Sequence, residues 1–213
     1  MDEKPAKNLE ISGAVALPVH QERSRDTRDR LLAAAEEAFA NKGYEGSRIA
    51  DIAQAAGVSA GAVYFRFKDK EALFGGIVER FAEDARERVA QFADDAKSGD
   101  WKAVVRRLVH GTWDLFNAHR GLFRVIMERG PLAPQAFMPI VTVRMQIGQM
   151  LAGAIPHKEN DAGRDLRMQV AMQMVFGFVQ IGMSSPITPT RQYGLAAIDE
   201  VAKAVIAYLE HTD

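Results

Sequence analysis

The stretch Gly57-Val58-Ser59-Ala60-Gly61-Ala62-Val63-Tyr64-Phe65-Arg66-Phe67 decides the fold of the first third of this chain. Upstream, Ser47 can cap a short helix by accepting one of its free N–H groups. Ile49, Ile52 and Ala53 then place an apolar face at i, i+3, i+4. Gly57 can take the left-handed conformation that closes such a helix, Val58 fills the elbow, and Ser59 caps the next helix. In that second helix Val63, Tyr64 and Phe67 face inward or along the edge, while Ala60, Gly61 and Ala62 leave the exposed first turn without bulk. Two short helices about a tight turn, the second small-sided at its N-terminus, make a helix-turn-helix whose second helix suits a DNA major groove.

Around this unit the punctuation marks helices only. Thr27 to Asn41 carries Leu31, Leu32, Ala35, Ala38 and Phe39 on one face. Asp69 caps a long fourth helix with a stripe Leu73, Ile77, Phe81, Ala85, Val89, Phe92. Helices over 101–118, 121–128, 134–155, from 160 or 161 to 183, and 191–210 follow, separated by Gly, Pro and Ser clusters. The expectation is an all-α chain of nine helices: a flexible tail over 1–21, a three-helix reader over 22–70, and over 71–213 a connecting helix with a five-helix bundle.

The motif residues Phe39, Gly43-Tyr44, Ser47, Ile52-Ala53, Ala56-Gly57-Val58-Ser59, Gly61, Val63-Tyr64, Phe67, Asp69-Lys70-Glu71 and Leu73 stand in register with one another. In that pattern the segment resembles the TetR family of bacterial transcriptional repressors. Arg48 departs from the Ser or Thr common there, and Phe65-Arg66 stand where a His is frequent. The resemblance implies a homodimer on a palindromic double-stranded operator. It assigns phosphate contacts to Ser47, Arg48, Tyr64 and Lys70, the last through its ammonium or the N–H of its helix start. Ser59, Ala60, Gly61 and Ala62 would lie against bases or backbone, and Phe65 against a thymine methyl or a sugar. Arg66 is an alternative base reader, and Tyr64 has an alternative role as an aromatic at the edge of the core.

Net charge is −1 over 213 residues, so no global basicity announces nucleic acid. Residues 22–70 hold nine Lys or Arg against eight Asp or Glu, whereas 71–98 hold four against seven. Arg23, Arg25, Arg28 and Arg30 form a basic entry to the first helix, or simply a solvated charged face. The absence of cysteine excludes disulfides, Cys-based zinc sites and thiol chemistry. The histidines are scattered, Glu36-Glu37 and Asp94-Asp95 diverge along their helices, and Gly75-Gly76 lies within a helix; no catalytic group, metal site or cofactor is expected. Acidic residues near the start argue against a signal peptide. The apolar run 170–183, broken by Gln173 and Gln180, is too short to span a bilayer. A cytoplasmic protein is expected.

Two features of 71–213 point beyond a core. Met168, Met172, Phe176 and Val179 in the penultimate helix, and Ile198, Val201 and Val205 in the last, form stripes readable as intramolecular core or as a dimer interface. The middle region is rich in Trp, Phe and Met, which fill irregular space or line promiscuous pockets. There Trp113, Phe116, Phe123, Met127, Met138 and Met145 are candidate walls of a site for a small apolar effector. His110, Asn117 and Gln149 are candidate polar contacts, with Phe137, Arg124, Gln146 and Met150 nearby. Ordinary core is the competing reading for each. Together these features suggest a ligand-responsive repressor; an architectural DNA-associated protein without a ligand is the alternative.

Overall fold

The computed structural model describes residues 17–97, 99–130, 134–155, 161–184 and 192–210. Among these the chain is all-α, with no strand. Its helices are α1 (Leu17–Gly46), α2 (Ile49–Ala55), α3 (Ala60–Arg66), α4 (Lys70–Ala96), α5 (Trp101–Ala118), α6 (Arg120–Arg129), α7 (Pro134–Ala154), α8 (Asp161–Ser184) and α9 (Leu195–Glu210).

Helix α1 starts ten residues before the expected Thr27, so the last part of the stretch read as a tail has helical backbone. The regular helix gives way at Gly43, whose φ of 72° and ψ of 177° a residue with Cβ would resist. The expectation that Asn41-Lys42-Gly43 ends the first helix is met there. Gly57 has φ 68°, as the elbow requires. The Ser59 hydroxyl caps α3 by accepting the Ala62 N–H at 3.2 Å. Asp69 accepts the Ala72 N–H at 2.8 Å in the first turn of α4, and Asp100 accepts the Ala103 N–H at 3.0 Å to start α5.

Leu31, Leu32, Ala35 and Phe39 of α1 meet Ile52, Ala53 and Val63, with Phe67, Leu73, Phe74 and Ile77 closing the small core of the reader. Phe39, Tyr44 and Phe74 meet there, their ring centroids 5.4–6.2 Å apart. Helix α4 runs on from the reader to pack against α5 and α7, α9 packs on α5 and α8, and α6 lies along α1. A second aromatic cluster, Phe81, Phe116, Phe123 and Phe176, joins α4, α5, α6 and α8. Phe116 and Phe123 stack at 4.0 Å, and they form one wall of the space described next.

Candidate nucleic-acid interface and candidate ligand cleft

The exposed face of the helix-turn-helix follows from which side chains its core consumes. Val63 and Phe67 turn inward, so Ser59, Ala60, Gly61, Tyr64 and Phe65 are left outside; Tyr64 is 56% and Phe65 86% exposed. Phe65 is the most exposed large apolar side chain among the described residues. Gly61 lies in the open first turn of α3, where an added Cβ would meet only the Ser59 hydroxyl at 3.8 Å. Nothing inside the fold therefore requires glycine at a position where it weakens a helix. Arg48 and Lys68 carry exposed charge with no ion pair among the described residues, whereas Arg28, Arg30 and Lys42 are held by Glu79, Asp26 and Asp51.

Behind the reader, α6 grips α1 through a row of polar contacts. At its start Gly121 lies so close to α1 that a Cβ would collide with the Glu36 carbonyl. Arg120 donates to Glu37 at 2.6 Å. Arg124 donates to the Ala40 carbonyl at 2.8 Å and to Glu128 at 2.7 Å. Glu128 in turn accepts the Tyr44 backbone N–H at 3.0 Å. Burial raises the Glu128 carboxyl, but the Arg124 and Tyr44 donors outweigh it and hold it below its ordinary range. Arg120 does the same for Glu37 through its hydrogen bond. At the far end Arg129 donates to Glu71, and that hydrogen bond is the main reason the Glu71 carboxyl is lowered.

Beside this clamp opens a cleft of about 1180 Å³ walled by α5, α6, α7 and α8 and closed on one side by Ala40 and Asn41 of α1. Trp113, Phe116, Phe123, Ile140 and Phe176 make much of its surface apolar, while Asn117, Arg120, Arg124, Glu128, Arg144 and Gln180 bring polar groups to it. A space of this size and mixture can hold a drug-sized amphipathic molecule in contact with both bundle and reader.

The family model "Bacterial regulatory proteins, tetR family" matches residues 31–77. The helix-turn-helix-type transcriptional repressor BepR of Brucella suis is 40% identical, over 52% of this chain and 70% of its own length. The chain belongs to the TetR family. It is a DNA-binding transcriptional repressor of that family and not an enzyme. A crystal structure described as that of a TetR-family regulator from Mesorhizobium loti is 25% identical, with a TM-score of 0.63 over 88% of this chain and 96% of that one. FadR from Bacillus subtilis, solved in complex with stearoyl-CoA, shares the fold at 21% identity, with a TM-score of 0.59 over 84% of this chain and 98% of that one. No helix among the described residues is long and apolar enough to cross a membrane.

Several expected site residues lie elsewhere in this TetR-family chain. Ser47 neither caps α2 nor reaches the surface: it is 2% exposed and its hydroxyl donates to the Gly43 carbonyl at 2.7 Å, while Arg48 takes the N-cap position without a side-chain bond. The Lys70 ammonium is also engaged within the protein. It donates to the Tyr44 and Ser47 carbonyls at 2.7 and 3.3 Å and sits 4.3 Å from the Tyr44 ring centroid. Tyr64 projects outward rather than lining the core edge, and Val58 is only half-buried. Ser59, Ala60, Gly61, Phe65 and Arg48 are exposed and Ala62 partly so.

In the bundle, Trp113, Phe116, Asn117, Phe123 and Met127 line the cleft, as do Arg124 and Phe137. His110, Met138, Met145 and Gln149 do not. His110 is held 2.7 Å from Asp199 at the α5–α9 contact. Met138 and Met145 project from α7, 62% and 60% exposed, and Gln149 is exposed on the same helix. The reason is helical phase: α7 turns Val143, Ile147 and Leu151 into the core and Phe137, Ile140, Val141 and Arg144 to the cleft, leaving a third face outside. Phe176, expected at an interface, is a cleft wall.

The rest of the expected interface is interior. Met168, Met172, Val179, Ile198 and Val205 are each at most 7% exposed within one chain, and Val201 is half-buried. Their stripes are intramolecular core because α8 and α9 pack on each other and on α5. What α8 turns outward is a second apolar row: Leu166, Val170 and Ile181, 63%, 36% and 62% exposed. His119 makes contacts that no local pattern carries. It is 1% exposed, 3.0 Å from Glu36 of α1 and 2.9 Å from Asp84 of α4, partners 83 and 35 positions away that only the packing brings together.

Proposed function

We propose that the chain is a ligand-responsive repressor that works in the cytoplasm, binds a two-fold operator as a homodimer, and changes its DNA affinity when a small, mainly apolar effector enters the α5–α8 cleft. In this reading 22–70 is the DNA reader and 71–213 senses ligand and dimerises. The observation that carries it is the exposed first turn of α3, with Gly61 unneeded by the protein interior. A missing Cβ leaves room for a phosphate backbone or a base edge from outside. Arg48 and Lys68 supply charge for phosphates, Tyr64 a phenolic donor, and Phe65 an apolar face for a thymine methyl. Lys70 acts through the N–H at the start of α4, its ammonium being engaged in the fold.

A small reader touches few base pairs, and two copies about 34 Å apart double the contact on a palindrome. The outward row Leu166, Val170 and Ile181 on α8 supports pairing with a second copy, since covering an exposed apolar row is favourable. The open cleft favours a ligand-responsive protein over an architectural one, and the stearoyl-CoA held by FadR supports the capacity of this fold for an acyl ligand.

The test is capture of genomic DNA fragments by the purified protein at fixed, near-physiological salt, with Gly61→Asp as control. Enrichment of one or a few palindromes, lost in the variant, is the expected outcome. Many dispersed sites would support the architectural alternative instead.

A further inference from the structure

The walls of the cleft carry three guanidinium groups, Arg120, Arg124 and Arg144, against one carboxylate, Glu128. Arg144 donates to the Gln173 side-chain amide at 2.9 Å and has no carboxylate partner among the described residues. A guanidinium has five donors in a planar fork, so most of this group's capacity is unspent and its geometry suits a carboxylate or phosphate. The other two arginines are spent along the α1–α6 contact: Arg120 on Glu37, and Arg124 on Glu128 and the Ala40 carbonyl. Ala40 itself lines the cleft, so a ligand there touches α1 directly.

Resting on the reading of this cleft as the effector site, we infer that the effector is an amphipathic anion. Its apolar part lies against Trp113, Phe116, Phe123 and Phe176, and its carboxylate or phosphate is taken by Arg144. The same negative charge competes with Glu37 and Glu128 for Arg120 and Arg124. Drawing these arginines into the cleft frees Glu128, and with it the bond to the Tyr44 N–H that ties the reader to α6. A neutral molecule of the same shape fills the apolar part without that exchange. The coupling arises because the anion binds better to the state with the clamp released.

Calorimetric titration of the full chain with four twelve-carbon probes below their micelle concentrations tests this: dodecanoate, dodecyl phosphate, 1-dodecanol and dodecylammonium. Both anions are expected to bind about tenfold or more tightly than the alcohol, the scale of a charge-assisted hydrogen bond, and the ammonium least. Arg144→Gln should remove most of the preference, and Arg144→Lys should keep more of it, which separates lost charge from misfolding. Amide exchange at Tyr44 should quicken with dodecanoate bound and not with 1-dodecanol. Preference for the carboxylate over the phosphate, or the reverse, would name the headgroup. Equal binding of acid and alcohol would overturn the anion while leaving an apolar effector in place. Binding of none of the probes would overturn it too, and enrichment of a palindrome would still stand as evidence for the reader.

Discussion

The Tyr44 side chain ties the reader to the bundle. Its hydroxyl donates to Glu71 at 2.9 Å, and its ring is covered by the Arg129 guanidinium at 4.5 Å and the Lys70 ammonium at 4.3 Å. Burial, then the hydrogen bond to Glu71, pushes its phenol up to about 12 from an ordinary value of 10. Between those values the folded protein keeps a proton the unfolded chain has lost, so this contribution to stability is whole below pH 10 and disappears as pH rises towards 12. Tyr44→Phe should therefore lose less stability than the wild type between about pH 9 and pH 11.5, read from urea midpoints. An unchanged slope would mean that the phenol is not held by these groups. The motif marked Tyr44 and Glu71 as fixed positions, but their bond to each other and to Arg129 depends on helices far apart in sequence.

Helix α6 is held to α1 by two kinds of contact of unequal weight. The exposed pairs, such as Arg120–Glu37, contribute about 0–1 kcal/mol each. The close crossing at Gly121 is steric and has no slack, because the neighbouring atoms belong to the α1 backbone. Gly121→Ala should therefore destabilise the protein by about 1–3 kcal/mol, although alanine is the better helix former. Thermal unfolding of the variant checks this; a rise in the midpoint would show that the crossing opens freely. Helix α7 teaches the matching lesson about reading sequence. Its Met-rich composition marked it as a candidate wall, yet the cleft takes Ile140, Val141 and Arg144 and leaves Met138 and Met145 outside. Residue type indicates that a helix is apolar on several sides, and only its neighbours decide which side faces what.

In the proposed dimer the two readers need a fixed separation on a two-fold site, and the bundle would supply that spacing. The double variant Val170→Glu with Ile181→Glu places two charges on the outward row of α8. It should keep its helical content, since both side chains are exposed in one chain, yet lose the part of its thermal stability that association supplies, sediment as a monomer at micromolar concentration and bind the operator far more weakly. Persistence of a dimer in sedimentation would place the interface elsewhere. The stripe of Met168, Met172 and Val179 is the wrong place for such a test, because a charge there would disrupt the chain's own core.

The all-α class, the elbow at Gly57, the caps at Ser59 and Asp69, and the DNA-reading motif are legible in the residues alone. These are local: a left-handed glycine, a cap and a 3.6-residue period each involve residues within a turn or two of one another. Packing between distant helices is what turns Lys70 inward, sets α6 as a clamp on α1, places His119 between Glu36 and Asp84, and brings three arginines into one cleft. Each of these depends on how two helices are rotated against one another. A helix apolar on several faces leaves that rotation undetermined until its partners are in place.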